Sequence, residues 1–291
     1  MRLPAYYSDV YAPASEPLLA RLAATRNRLE RLHLVELLPA PLVDTALLHG
    51  LHHEDYLQAF LQGKEPLASR QGIAWSPQVR DATLAMLGGQ LEAAIHALDY
   101  GHVVMNIARG FHHAHPGGGS GFCPLNGLAL VAHVYPRLRI LVLDCDEHGG
   151  NGTEEFAALL PNLFAISIFG TRFGCLGGER SWAFHITHEQ GFGAYQQALE
   201  NAADLVTQLA PDLLIYQAGA DCHEADPKSL LKLSSKEMFR RDLFVFELTH
   251  KLKLPTLFLV AGGYQSAEKV ARLNTNTVRA ACRAWRLSKG Q

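Results

Sequence analysis

Short apolar runs alternate along this chain with longer amphipathic stretches, and this alternation limits the possible folds more than any other feature. Six runs have the length and composition of buried strands, namely 103–108, 139–146, 163–169, 183–187, 212–218 and 255–261. Helical patterns lie near 78–99, 122–136, 191–209, 234–251 and 265–286. Strand–helix alternation at this spacing predicts an α/β fold with a mostly parallel sheet and helices on both faces.

The composition predicts an ordinary globular protein that occupies one domain, 1–291. The chain is 48% hydrophobic and 19% charged, and it has no repeat or linker long enough to divide it. A net charge of −2 gives no electrostatic reason to expect direct binding to nucleic acid or to a membrane surface. Five scattered cysteines, no bilayer-length apolar run and a start unlike a signal peptide favour a reduced, cytoplasmic protein. The part before about residue 75 is expected to be richer in helices and loops.

The segment 144–153 carries the densest chemistry in the chain. Asp144, Asp146 and His148 directly follow the apolar run 140–143, so they lie at the carboxyl end of a predicted strand. Carboxylates and imidazoles are metal ligands, and parallel sheets bind ligands at this edge. The alternative, an acidic strand end that caps the next helix, explains one aspartate but not the whole set.

Three further segments follow the same pattern, with an apolar strand followed by a turn of small and polar residues: 106–114, 213–221 and 258–264. If these strands are neighbours in a parallel sheet, their turns meet at one edge. That edge would gather His112, His113, Asp146, His148, Asp221 and Tyr264. Such a set is sufficient for amide hydrolysis, with three metal ligands, an imidazole base and a hydroxyl donor to an oxyanion. Taken singly, the histidine pair could be solvated, Asp221 a helix cap and Tyr264 a packed aromatic.

Five motifs in this chain resemble those of the histone deacetylase family, in the same order. They are GFHHA at 110–114, GFCPLN at 121–126, DCDEHGGNGT at 144–153, AGAD at 218–221 and AGGY at 261–264. The stretch 70–76 and the compact length are most similar to the class IV branch and bacterial relatives, and the similarity begins near residue 50. The resemblance implies an arginase/deacetylase-like sheet of about eight strands. It also implies a zinc-dependent hydrolase of acyl-lysine or of acetylated amines.

The resemblance assigns roles by position. One Zn²⁺ per chain would be held by Asp146, His148 and Asp221. His113 would be the general base, His112 its charge-stabilising partner and Tyr264 the residue that polarises the carbonyl. Asp144 and Asn151 would position the histidines, and a structural K⁺ is expected near Asp144 and Ser167. Gly121, Phe122 and Phe173 would line the substrate tunnel.

Several positions depart from the family pattern. Arg109 stands where a glycine is usual, Gly127 where an aspartate is usual, Phe169 in place of a frequent histidine, and Ala261 in place of a glycine. A His-Phe-Pro segment is not recognisable in 14–31. These departures predict a pocket of altered shape and an altered acyl preference.

The leading hypothesis is therefore removal of acyl groups, acetyl or longer, from lysine on a protein or peptide. A deacetylase of acetylpolyamines is the first alternative; it would need an acidic rim, for which Glu224 and Asp226 are candidates. A two-manganese ureohydrolase is disfavoured because Gly150 and His223 stand where that site needs acids. A non-catalytic protein that binds acyl-lysine is the alternative from another class, and the complete set of reactive residues argues against it.

Overall fold

The computed structural model describes residues 2–287, and its centre is one sheet of eight strands. The strands are β1 Leu3–Tyr7, β2 Val35–Pro39, β3 Val103–Asn106, β4 Ile140–Asp144, β5 Leu163–Phe169, β6 Ser181–His185, β7 Leu213–Gln217 and β8 Thr256–Leu259. Their order is β2-β1-β3-β8-β7-β4-β5-β6, and every neighbouring pair is parallel. The predicted fold class is confirmed, including the number of strands.

Helices cover the sheet, and seven of the eight described helices fall into two groups that pack among themselves. The helices are α1 Ala20–Arg31, α2 Glu54–Gln62, α3 Pro77–Tyr100, α4 Gly127–Val134, α5 Asn151–Leu159, α6 Gly191–Leu209, α7 Ser235–Leu252 and α8 Ala267–Ala284. α1, α6, α7 and α8 form one chain of contacts, and α3, α4 and α5 form the other. Within residues 2–287, no helix combines the length and the apolarity needed to cross a bilayer.

Burial separates the centre of the sheet from its edges. β3, β4, β7 and β8 are buried at every residue, whereas the edge strands β2 and β6 are each partly exposed. Strands covered on both faces read as continuous apolar runs. This is why the central strands stand out in the sequence.

Several element predictions need correction. The six predicted strands all exist, but β1 and β2 lie in the N-terminal part that was expected to hold helices and loops. The helix predicted from 122 begins at Gly127, after a loop that Asn126 ends by accepting the N–H of Ala129 at 2.9 Å. Helix α5 was not predicted, because its first turn lies inside the glycine-containing motif.

The four polar turns follow β3, β4, β7 and β8, which are four consecutive strands in the sheet. The assumption that these strands are neighbours is therefore correct. All strands being parallel, their carboxyl ends share one edge, where the four turns meet.

Candidate metal centre and active site

Three predicted ligands converge at this edge of the sheet. Asp146 and His148 lie in the turn after β4, and Asp221 lies in the turn after β7. Each offers one ligand atom, and the three atoms lie within 4.8 Å of one another. Nδ1 of His148 is 3.2 Å from Oδ1 of Asp146 and 3.3 Å from Oδ2 of Asp221. Asp146 and Asp221 are buried.

The residues fit a divalent metal. No hydrogen bond from any described residue reaches Oδ2 of Asp221, although this atom is buried. A buried carboxylate oxygen without a donor is costly unless a cation compensates it. Two carboxylates and one imidazole are a donor set that zinc accepts, with room for a further ligand.

The AGGY backbone packs directly against these carboxylates. The N–H of Gly262 donates to Oδ2 of Asp146 at 2.7 Å. A Cβ on Gly262 would lie 2.6 Å from that same oxygen and would also collide with Asp221. A glycine is therefore required at position 262, because no side chain fits between this backbone and the ligands.

The electrostatics show an excess of negative charge in the cluster. Burial and the neighbouring Asp146 carboxylate raise the pKa of Asp221 to about 6. Burial opposes protonation of His148, but Asp146 and Asp221 outweigh it and raise its pKa to about 10. A proton held this strongly marks a position that favours a cation.

The histidine pair lies in the turn after β3, where Phe111 adopts a left-handed conformation with φ of 61°. Nδ1 of His112 is 2.6 Å from Oδ2 of Asp144, and Nδ1 of His113 is 2.8 Å from Oδ1 of Asn151. The two rings lie 3.9 Å apart, centroid to centroid. The pair thus has one charged partner and one neutral partner.

This difference separates the protonation of the two imidazoles. Burial works against His112, but the charges of Asp144 and Asp146 raise its pKa. Burial and the nearby charge of His112 lower the pKa of His113 well below its usual value. His113 is therefore neutral near pH 7. An Nδ1–H donated to Asn151 leaves its Nε2 free to accept a proton.

Asn126 connects three of the motifs. Its Nδ2 donates to the carbonyl of Ala114 at 2.9 Å and to Oγ1 of Thr153 at 3.2 Å, and its N–H meets Nε2 of His52 at 3.1 Å. These bonds attach the GFCPLN loop, 121–126, to the histidine turn and to α5. His52, which looked structural in the sequence, acts as an acceptor in this network.

Asp144 and Ser167 border a common space, as expected for residues near a shared cation. They are register partners in β4 and β5. A Cβ on Gly150 would lie 2.6 Å from Oδ2 of Asp144 and 3.2 Å from Oγ of Ser167. Asp144 already accepts from His112, from the N–H of Asp146 and weakly from Gln217. The K⁺ expectation therefore stays a prediction.

Tyr264 lies next to the cluster, with its ring centroid 6.3 Å from that of His148. Burial raises the pKa of its phenol, so the hydroxyl keeps its proton. The backbone N–H of Tyr264 donates to Oδ2 of Asp226 at 2.7 Å. The guanidinium carbon of Arg21 lies 5.6 Å from the centre of the Tyr264 ring.

The predicted tunnel residues lie beside the reactive side chains. The ring of Phe173 stacks on His113 at 4.0 Å, and that of Phe122 lies 6.3 Å from Tyr264. Phe173 is 42% exposed, so part of its ring faces solvent. Gly121 has φ of 51°, and a Cβ there would collide with the His113 ring. Each of the three residues therefore borders a candidate catalytic side chain.

The departures from the family pattern have structural consequences. Gln90 donates to the carbonyl of Arg109 at 3.0 Å, and its amide fills the space that a Cβ on Gly127 would occupy. Arg109 is buried, and its Nη1 donates to the carbonyl of Phe122 at 3.1 Å. Gln90 thus contacts both positions, through the backbone of Arg109 and the space beside Gly127. Arg109 also attaches the histidine turn to one tunnel residue.

The remaining departures have local packing partners. Ala261 has φ of 39°, a conformation that favours glycine, and its carbonyl accepts from Nη2 of Arg21 at 3.3 Å. The ring of Phe169 packs beside His185 at 5.7 Å. The carbonyl of Gly263 also accepts from Arg21, which therefore ties down both ends of the AGG backbone.

Several important residues were missed in the sequence. Arg21 contacts Gly263 across 242 residues of chain, and Nη1 of Arg241 holds the carbonyls of Cys145 at 3.0 Å and Gly219 at 2.9 Å. Lys228 lies over Tyr264, with Nζ 4.9 Å from the ring centre. Nothing local distinguishes these cations from surface residues, since their partners are distant in sequence. The one available signal was that Arg21 lies on the buried side of α1, where an arginine is unusual.

Known proteins match most of this chain in sequence. The histone deacetylase domain model matches residues 17–281, a start earlier than the expected residue 50. An uncharacterized protein of Picosynechococcus sp. is 34% identical over 231 residues, which cover 77% of each chain. Histone deacetylase 2 of Arabidopsis thaliana is 28% identical over 258 residues, 82% of this chain and 65% of that one.

Two acetylpolyamine-acting proteins also match. Acetylpolyamine amidohydrolase 1 of Pseudomonas aeruginosa is 29% identical over 170 residues, 53% of this chain and 48% of that protein. The crystal structure of acetylpolyamine aminohydrolase from Burkholderia pseudomallei superposes with a TM-score of 0.83 over 97% of this chain and 99% of that chain, at 18% identity. The latter match establishes the fold.

The eight-stranded parallel sheet and the carboxylate–imidazole cluster at its carboxyl edge define an α/β protein of the arginase/deacetylase type. Because the family model covers most of the sequence, the chain belongs to the histone deacetylase family. It is accordingly a hydrolase of the deacetylase class.

Proposed function

We propose that this protein is a zinc-dependent amidohydrolase that removes acyl groups, acetyl or longer, from lysine side chains. One observation carries the proposal: His148 of the ligand cluster has both a neutral imidazole, His113, and a protonated phenol, Tyr264, as ring neighbours, at 5.8 and 6.3 Å. A base and a hydrogen-bond donor on one metal cluster are the groups that amide hydrolysis requires.

Asp146, His148 and Asp221 would hold the metal. When bound, Zn²⁺ would supply a Lewis acid at the inner end of the pocket. The remaining steps belong to the protein. His113 accepts a proton from the attacking water and later donates it to the leaving lysine amine. The Tyr264 hydroxyl donates a hydrogen bond to the acyl oxygen as that oxygen gains negative charge.

The surrounding side chains maintain these protonation states. Asn151 is neutral, so its hydrogen bond orients His113 and raises the pKa of that imidazole less than a carboxylate would. Asp144 orients His112 and stabilises its positive charge next to the reaction centre. Phe122 and Phe173 would provide apolar walls for the methylene groups of a lysine side chain.

The test is hydrolysis of lysine peptides bearing acyl groups from acetyl to long-chain fatty, by protein loaded with zinc. His113→Ala and Tyr264→Phe should each lower kcat by about two to three orders of magnitude. His49→Ala and Tyr100→Phe are matched controls, since both residues are exposed and lie outside the cluster. Full hydrolysis by both site variants would overturn the proposal.

A deacetylase of acetylpolyamines is the second candidate, and the relatives named for that activity favour it. Parallel assays on acetylpolyamines and acetyl-lysine peptides separate the two. Absence of hydrolysis of every acyl-lysine by fully metal-loaded protein would instead favour a non-catalytic acyl-lysine binder.

A further inference from the structure

A cation lies over two rings that the proposed substrate would contact, where an acetylpolyamine deacetylase would need anions. Nζ of Lys228 lies 4.9 Å from the ring centre of Tyr264 and 5.5 Å from that of Phe122. Lys228 is exposed, so its ammonium group faces solvent at the outer end of these two rings. A substrate that passes Phe122 to reach Tyr264 must pass this charge.

Asp226, one of the two residues expected to form an acidic rim, does not serve that purpose. It is only 1% exposed, and its carboxylate accepts the N–H groups of Tyr264 at 2.7 Å and Lys228 at 3.0 Å. Its charge is therefore used to hold the rim backbone. Because both N–H groups bind one carboxylate, the backbone of Lys228 is held next to the backbone of Tyr264.

The rest of this loop is equally well held. The carboxylate of Glu147 accepts from the N–H groups of Leu230 at 3.0 Å and Leu231 at 3.3 Å, and from Oγ of Ser229 at 3.4 Å. Lys228 thus projects from a rigid segment. These bonds fix the backbone from which the side chain starts, and the contacts with Tyr264 and Phe122 place its ammonium group.

Other cations lie near the same aromatic residues. Arg172 is exposed and precedes Phe173 in the chain. Arg70 is exposed and adjoins Gln71, whose carbonyl accepts the N–H of Phe122 at 2.8 Å. Clustered cations favour anionic ligands and disfavour cationic ones.

We propose that Lys228 selects substrates whose acylated amine carries a carboxylate at the pocket mouth, and that it disfavours acetylpolyamines. This inference rests on the proposed function, because it concerns the substrate of the same site. The carboxylate has two chemical sources: an acidic residue next to the acyl-lysine, or the α-carboxylate of an acyl-lysine at a C-terminus. At an effective dielectric constant between about 40 and 80, which suits a solvated ammonium group, opposite charges about 5 Å apart change affinity by about 4- to 15-fold.

The test compares acetyl-lysine peptides that differ in one neighbouring residue, Asp or Lys, together with C-terminal acetyl-lysine as free acid or amide and a monoacetylated diamine. The wild-type protein should prefer each carboxylate-bearing substrate in kcat/KM by about 4- to 15-fold. Lys228→Met should abolish the preference while keeping the ring contact, and Lys228→Glu should reverse it. High salt should reduce the wild-type preference.

Lys251→Glu is the matched control. It makes the same charge change at the end of α7 that precedes β8, and therefore at the opposite edge of the sheet. Substrate ratios that are the same in Lys228→Glu and in wild type would overturn the inference. A response to only the neighbouring Asp, or to only the terminal carboxylate, supports it and identifies the source of the charge.

Peptide binding to the His113→Ala variant separates two outcomes: failure of the role given to Lys228, and failure of the proposed function. Without turnover, fluorescence anisotropy should still show tighter binding of the Asp peptide, and adding Lys228→Glu should reverse that difference. Charge-dependent binding without hydrolysis by the wild type would refute the proposed function and support the role of Lys228. Hydrolysis with no dependence on charge would do the reverse.

Discussion

The neutral partner of His113 gives the sharpest prediction about the chemistry. Asn151→Asp keeps the shape of the side chain but places a carboxylate on Nδ1 of His113, where the present contact is 2.8 Å. The pKa of His113 is now well below its usual value, so the imidazole is neutral and able to accept a proton down to mildly acidic pH. A carboxylate stabilises the imidazolium form and raises this pKa.

The size of the expected pKa shift follows from the distance between the new carboxylate and the His113 imidazolium. Unit charges about 4 Å apart interact by about 4 kcal/mol at an effective dielectric constant of about 20. This corresponds to a shift of about 3 pKa units at most, because 1.4 kcal/mol is about one unit. The cost of burying the new carboxylate, and the charge of His112, reduce the shift to about 1 to 3 units.

The direction in which the pH profile moves follows from the role of His113 as the base. Below its pKa, His113 is protonated and cannot accept a proton, so the acid limb of kcat/KM marks that pKa in the free enzyme. In Asn151→Asp the limb should move to higher pH by about 1 to 3 units, and activity should return above it. The assay is kcat/KM for an acetyl-lysine peptide from about pH 5 to 9, at full metal loading.

Two further variants control the experiment. Asn151→Ala removes the orienting group without adding charge, so it should lower the rate without moving the limb to higher pH. Asn201→Asp adds the same charge at an exposed position on α6 and should leave the profile unchanged. A profile for Asn151→Asp that coincides with the wild type, at equal metal content, would refute the assignment of His113 as the base.

Three other substitutions test the remaining parts of the site. Asp221→Asn should lower metal affinity by more than about 100-fold, measured as metal retained after dialysis, without destabilising the metal-free protein, because burial and the neighbouring Asp146 already disfavour the charged form of Asp221. Gly121→Ala should lower kcat by about 10- to 100-fold at unchanged metal content, since its Cβ displaces His113; unaltered kinetics would contradict this contact. Arg241→Met should cost about 3–5 kcal/mol in urea unfolding, because it leaves Asp242 buried without its 2.8 Å partner; a loss below about 1 kcal/mol would show that the pair is dispensable.

The sheet was predictable where burial imposes a pattern. β4, for example, is buried at all five residues and appears as an uninterrupted apolar run. β1 was missed because Pro4 makes its sequence unlike that of an internal strand, although it pairs with both β2 and β3. β2 lies at the edge and shows only partial burial.

Helix α5 was missed for a functional reason. Its second residue is Gly152, a poor helix former, and a Cβ there would collide with the carbonyls of His112 and Ala114. The close approach of the histidine turn therefore requires a glycine inside the first helical turn. Helix propensity does not predict α5, because contact with the histidine turn determines which residue stands at position 152.

The candidate site was predictable in its centre and not at its boundary. Asp146, His148 and Asp221 stand at strand ends, where the direction of a parallel sheet makes neighbours of distant segments. Arg21 reaches the same place from helix α1, through contacts 240 residues or more away in sequence. No pattern in the sequence indicates where such a long side chain ends.

This difference between centre and rim has a physical basis. In the centre, each glycine, carboxylate and imidazole contacts several of the others. A change at Gly262 or Asp144 therefore disturbs several contacts at once. At the rim, Lys228 is exposed, and substitutions at such positions usually alter stability by only about 0.5 kcal/mol. Under the proposal made above, the same charge would change the affinity for a charged substrate by about tenfold. Folding therefore constrains the catalytic centre strongly and the rim weakly, and substrate class can change at Lys228 while the catalytic centre stays the same.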